Sequence, residues 1–190
     1  MKFRKLLLFS ITFLTLSVFA VEDIQVSFNY AGNHGVDFSG MRYTLRIAEF
    51  TDGRNLENAR LITDNDMGNS STNGGYQAEE ALSVIIRQAL IQGFESGGAK
   101  LVEADADMRL EGNLLASDYQ LVERDGIESI QLTLRTSIQL RRGGRTIWQT
   151  TLFGRGVTPS VDGLAAAVHA ALERTIRELV MDDYFLLEIL

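Results

Sequence analysis

One stretch restricts the fold more than any other. Between Ser129 and Arg141 the apolar residues Ile130, Leu132, Leu134, Ile138 and Leu140 alternate with Ser129, Gln131, Thr133, Arg135, Ser137, Gln139 and Arg141. A strand sends successive side chains to opposite faces, so a period of two predicts a half-buried antiparallel strand. Arg124-Asp125-Gly126 stands before it and Arg142-Gly143-Gly144 after it. Glycine there supplies the positive φ of a tight hairpin turn. From Asp107 to Val157 the chain therefore reads as a three-stranded meander.

The flanking strands are less regular. In Asp107 to Glu123, residues Met108, Leu110 and Leu114 share one parity, while Leu115, Tyr119 and Leu121 share the other. A bulge near Leu114 to Ala116 would keep a single face inward. In Thr146 to Val157, Trp148 and Leu152 fall on one face and Ile147 and Phe153 on the other, which implies an inner position or cover on both faces.

Met1 to Ala20 has the pattern of a signal peptide. Lys2, Arg4 and Lys5 precede the apolar run Leu6 to Leu16, and Val18-Phe19-Ala20 supplies a small-x-small cleavage site. The run is short against the roughly 20 residues that span a bilayer, so cleavage is expected, with an uncleaved anchor as the alternative. Residues 21–190 are expected to form a single periplasmic domain. There is no cysteine among the 190 residues, so a hydrophobic core and not a disulfide must hold it. The formal charge of -7 becomes more negative without the leader, which argues against a nucleic acid partner.

Ahead of the meander, Ile24, Val26, Phe28 and Tyr30 alternate as in a short strand, and Met41, Tyr43, Leu45 and Ile47 suggest a second that ends near Phe50. Thr51 to Arg54 reads as a turn, and Asn55 to Gly75, rich in Asn, Ser, Thr and Gly, as a long loop. A helix is expected over Tyr76 to Ser96, stopped by Gly97-Gly98, with Glu79 and Glu80 at the positive end of its dipole. Ala99 to Glu103 reads as a short strand. A second helix follows Pro159-Ser160, with Val161, Leu164, Val168, Leu172, Ile176 and Leu179 at steps of three and four and an i, i+4 pair between Glu173 and Arg177. The apolar end Tyr184 to Leu190 should be docked. The expected fold class is α+β: an antiparallel sheet containing the three-stranded meander, with two long helices packed on one face.

No reaction declares itself. The two histidines, His34 and His169, stand in a glycine-rich loop and in the second helix, and neither has a nucleophile or a ligand set beside it in sequence. Asp64, Asp66 and Gly68 resemble the start of a calcium loop but lack its later ligands. No catalytic residue, metal or cofactor is assigned. The concentrated basic feature is Arg141, Arg142 and Arg145, at the tip of a hairpin in an acidic protein. Such a tip suits an acidic protein surface or a lipid phosphate, although a solubilising tip is the plainer reading.

A strand ending in Phe50-Thr51-Asp52-Gly53-Arg54, a helix running into Gln88-Ala89-Leu90-Ile91-Gln92-Gly93-Phe94, a meander containing Leu115-Ala116-Ser117-Asp118-Tyr119 and a closing helix with an apolar tail resemble the YajG-like family of bacterial envelope lipoproteins. The resemblance spans Ile24 to Leu190. It implies no enzymatic activity, and in architecture it extends to the auxiliary lipoproteins of lipid-trafficking ABC transport systems, which bind periplasmic partners. The cysteine that such a lipoprotein needs after its leader is missing, since Ala20-Val21-Glu22 stands there. Membrane association would then rest on an uncleaved leader and not on a lipid anchor. The function expected is a non-enzymatic periplasmic module, in the envelope near the outer membrane, that binds a protein or lipid partner. The alternative is a periplasmic hydrolase using carboxylates of the 52–66 loop.

Overall fold

A computed structural model of the chain describes residues 21–63 and 75–190. The leader and the residues Asp64, Asp66 and Gly68 lie outside the described residues. In chain order the described residues form β1 (Glu22–Ile24), β2 (Leu45–Ile47), β3 (Thr51–Asp52), β4 (Leu61–Thr63), β5 (Tyr76–Ala78), α1 (Leu82–Ser96), β6 (Met108–Arg124), β7 (Ile127–Arg142), β8 (Arg145–Pro159), α2 (Gly163–Val180) and α3 (Asp183–Ile189), with a 3-10 turn at Ser160–Asp162 leading into α2.

The meander is β6, β7 and β8. Its first turn carries positive φ at Asp125 and Gly126 and its second at Gly143 and Gly144, as two-residue hairpin loops require. Along β7, Ile130, Leu132, Leu134, Thr136, Ile138 and Leu140 are buried. The register of β6 on β7 shifts between Leu114 and Ala116, so Leu114 opposes Thr136 while Ala116 opposes Arg135. That bulge keeps Met108, Leu110 and Leu114 on the inner face before it and Tyr119 there after it.

The expectation of an antiparallel sheet with two long helices on one face is wrong. The described residues form eight strands in two sheets, with parallel pairs, and three helices. β2 and β3 both run parallel to β6, and β1 runs parallel to β5, which is antiparallel to β4. Parallel neighbours need a crossover, and here the chain between β3 and β6 contains β4, β5 and α1. The helices also differ in role. α2 lies on β7 and β8, while α1 packs on α2 and reaches β2, β3 and β6.

β8 is an edge strand, which rules out an inner position as the cause of its mixed pattern. Leu140 pairs with Trp148 but Arg141 with Thr146, which leaves Ile147 as the extra residue of a bulge and explains the change of parity. Beyond it Leu152, Gly154 and Gly156 face inward, and α2 lies directly on the glycines. A Cβ on Gly156 would stand 2.5 Å from the backbone nitrogen of Ala171, and one on Gly154 2.5 Å from the Ala171 carbonyl oxygen.

Other departures have local causes. α1 begins at Leu82 and not at Tyr76, because Tyr76–Ala78 is the strand β5. Glu79 consequently serves the neighbouring chain: its carboxylate accepts the N–H groups of Val26 at 2.8 Å and Ser27 at 2.7 Å. The segment after Ile24 keeps its alternation of burial without a strand partner. Gln92 accepts from the Tyr30 N–H at 2.7 Å and donates to the Phe28 carbonyl at 3.2 Å. Between Ala99 and Glu103 a lone bridge joins Leu101 to Leu45. Val161 is 90% exposed, ahead of α2, and the i, i+4 ion pair on α2 is Arg174–Glu178 at 2.8 Å.

The apolar end is docked through α3, where Phe185 and Ile189 are fully buried. Asp182 caps this helix by accepting the Phe185 N–H at 2.8 Å, and the same oxygen accepts the indole N–H of Trp148 at 3.2 Å. One carboxylate thus starts the helix and ties it to β8.

Candidate functional site

The hairpin tip between β7 and β8 presents the three arginines in different states. Arg141 is partly committed to the tip: its guanidinium donates to the Gly144 carbonyl at 2.8 Å and lies 3.5 Å from Glu111. Arg142 sits over the Tyr43 ring at 5.1 Å from the centroid, a cation–π contact that fixes its direction. Arg145 is exposed and makes no ion pair or side-chain hydrogen bond among the described residues. The structure therefore places all three at one tip, where Arg141 builds the turn and Arg142 and Arg145 face outward.

The carboxylates of the 52–66 loop are not brought together as a reactive pair among the described residues. Asp52 is joined to Arg54 at 2.6 Å, and both side chains are nearly inaccessible, at 15% and 5% exposure. Arg54 also donates to the carbonyls of Leu61 and Ala59 and to the Ser117 hydroxyl, so its guanidinium clips this loop to β6. Burial pushes the Asp52 carboxyl up, but the Arg54 hydrogen bonds and charge outweigh it and hold the group below its ordinary range. A carboxylate held ionised at neutral pH and bonded to Arg54 is unsuited to proton transfer there.

Both histidines bond to backbone carbonyls. His34 donates through Nε2 to Gly93 at 2.8 Å while its Nδ1 accepts the Val36 N–H at 3.1 Å, and His169 donates through Nε2 to Val26. His169 also meets the Phe28 ring edge-on at 5.5 Å. These contacts hold the segment from Val26 to Phe38 against α1 and α2. Among the described residues no group of three or more His, Asp or Glu is placed to hold a metal ion, and no helix is long and apolar enough to cross a membrane.

Sequence reasoning missed a second concentration of cations. Arg124, Arg155 and Arg174 come from β6, β8 and α2 and line one groove, and their distance along the chain hides them. Arg54 was also unrecognised. Its sole signal was an Asp two residues earlier, which is common in turns.

The fold and the site define a strand-rich module with helical cover, whose charged features lie at a hairpin tip and a sheet edge and not around a nucleophile. The lipopolysaccharide-assembly family LptE matches residues 68–185, more than half of the chain, and the protein belongs to that family. Among solved structures, protein XCC0632 from Xanthomonas campestris is 14% identical, with 88% of this chain and 94% of that one covered and a TM-score of 0.56. That likeness is of fold alone. Protein CT253 from Chlamydia trachomatis is 11% identical over 74% of this chain and 95% of that one, with a TM-score of 0.45. A minor lipoprotein from Acinetobacter baumannii is 13% identical over 78% and 90%, with a TM-score of 0.38. No curated protein matches the chain.

Proposed function

We propose that the protein is a non-enzymatic periplasmic module of lipopolysaccharide assembly that captures an envelope partner through the basic tip. The observation that carries this is the division of labour at the tip, where Arg141 bonds to the turn and Arg142 and Arg145 are left outward on a protein of charge -7. Exposed cations of this kind steer and orient an anionic partner more than they stabilise a fold. The family match supports the assembly role, and the YajG-like resemblance remains the narrower kinship we propose within it. We also propose that residues 21–190 act as one domain after removal of the leader.

The test uses the double reversal Arg142→Glu, Arg145→Glu, which leaves the structural Arg141 in place. Lipopolysaccharide micelles and detergent-extracted envelope protein serve as separate baits, with circular dichroism to confirm folding. Capture by one bait should fall about tenfold in the variant, and the wild type should weaken likewise with salt, since the Debye length is about 8 Å at physiological ionic strength. Unchanged capture by both baits removes the tip from the function. His169→Ala should leave capture unaltered if the protein still folds, because His169 bonds within the domain.

A further inference from the structure

The meander ends in a long edge that no strand covers among the described residues, although Glu178 takes one of its outward donors, the Phe153 N–H. β8 has 15 residues and pairs with β7 on one side, and among the described residues no strand pairs with its other side. The Phe153 N–H donates to Glu178 at 3.1 Å and not to β7, so it points off the sheet. Backbone groups alternate in direction along a strand, so those of Thr151, Arg155 and Val157 point the same way. They form a row at spacings of about 6.8 Å, two residues of strand rise.

Beside this row lies a groove of about 450 Å³, lined by Arg124, Phe153, Arg155, Val157, Arg174 and Glu178. Its floor is partly apolar, with Phe153 50% exposed. The single carboxylate is already paired with Arg174 at 2.8 Å, while Arg124 and Arg155 have no ion pair or side-chain hydrogen bond among the described residues. The groove therefore carries excess positive charge.

We propose that this edge docks an extended acidic segment of a partner protein, which adds to the sheet beside β8 as a further strand. The evenly spaced backbone donors and acceptors match another strand, as in β-augmentation, and a lipid headgroup has no such repeat. Phe153, Arg155 and Val157 share the outward face of β8, so a carboxylate on the segment residue across from Arg155 would be flanked, two residues to either side, by apolar residues that meet Phe153 and Val157. A second copy of this chain is a poor occupant, because its own β8 would bring the same arginines into the groove. The inference stands apart from the basic tip and does not depend on it.

The experiment uses the full domain and a synthetic ten-residue peptide in which every second residue is Thr and the residues between them are Val, Glu, Val, Glu and Val, so that one face carries both the acidic and the apolar side chains. Amide hydrogen exchange at Thr151, Arg155 and Val157 should slow at least about tenfold with peptide present, a change of about 1.4 kcal/mol. The same peptide N-methylated at alternate residues keeps its charge but cannot pair, and should give no protection. Arg155→Glu should weaken the parent peptide by about tenfold and favour one with Lys in place of Glu. No protection by the parent peptide, equal binding of the methylated one, or indifference to Arg155→Glu would each overturn the proposal. Protection of the same amides by anionic phospholipid vesicles that displace the peptide would assign the groove to lipid. Protection that rises with protein concentration alone would assign it to a second copy.

Discussion

Gly156→Ala should damage this fold more than its one added methyl group suggests. The new Cβ would stand 2.5 Å from the Ala171 nitrogen and 3.0 Å from the Ala170 carbonyl carbon, with the Ala167 carbonyl oxygen closer still. All three are helix backbone, so no side-chain rotation relieves the contact, and α2 must lift from β8. Overpacking of a well-filled core costs about 1–3 kcal/mol, and an unyielding backbone puts this site near the top of that range. Alanine also restricts the unfolded chain, which returns about 0.4–1 kcal/mol, so the net loss is about 2 kcal/mol. For a domain of this size that is a fall in melting temperature of about 4–8 °C, or roughly 1 M in the urea midpoint. Gly40→Ala is the control: its Cβ would meet nothing within 4 Å. It should melt within about 0.5 kcal/mol of the wild type, or slightly above it. Equal melting of the two variants would mean that α2 is not seated on the glycines of β8.

Leu134 is buried and Arg135 exposed on the same strand, so in urea melts Leu134→Ala should cost about 2–5 kcal/mol and Arg135→Ala within about 0.5, and equal losses would contradict the one-sided burial of β7. Arg54→Ala should cost about 1–3 kcal/mol at neutral pH, because it leaves the half-buried Asp52 carboxylate without its charged partner. Since the Asp52 pKa is depressed in the fold, the pair's contribution is complete above the ordinary carboxyl value of about 4 and is lost as pH falls through the lower folded value. The wild type should thus lose more stability on acidification than Arg54→Ala, and identical acid dependence would refute the clip. Burial, aided by Tyr76 and Glu128, pushes the Tyr119 phenol up to about 12, and its hydroxyl has no hydrogen-bond partner among the described residues. Its stabilising effect is complete below the unfolded value of about 10 and is lost as pH rises through the folded one, so Tyr119→Phe should be neutral to about 1 kcal/mol stabilising at pH 7 and should resist melting between pH 10 and 12 better than the wild type.

What could be read from the sequence followed the range of the forces involved. β7 alternates over many residues, so its period exceeded the noise of composition. The β6 bulge showed itself as a slip in parity on a strand long enough to have two parities. The alternation from Met41 to Ile47 pointed to β2, but β2 and β3 have only three and two residues, a period says nothing of direction or partner, and their partner β6 lies beyond a crossover. Nothing local can encode that pairing. Ala78 passed for the start of the helical stripe because it stands four residues before Leu82, although it and Tyr76 are buried on the strand between β1 and β4, and Glu79 fitted a helix start while in fact bonding Val26 and Ser27, more than fifty residues earlier. The tip arginines were visible because a hairpin joins near neighbours. Arg124, Arg155 and Arg174 were not, because their meeting is made by the tertiary fold.

The tip and the edge groove lie on one element, which separates their tests. Arg145 opens β8 and Arg155 stands ten residues along it, about 33 Å at the rise of a strand. Both are exposed on a strand whose inner face is buried under α2, so neither can move relative to the other without unseating that helix. At this distance the two arginines are several Debye lengths apart and share no contact, so charge reversal at one leaves the field and geometry at the other nearly unchanged. Losses from Arg145→Glu and Arg155→Glu should therefore add in a capture assay, within about 0.5 kcal/mol, if a single partner spans both. If the two sites serve different partners, each reversal will abolish one capture and spare the other. A loss from Arg155→Glu that disappears once Arg145 is already reversed would mean that the edge acts only through the tip, and the groove would then not be a docking site in its own right.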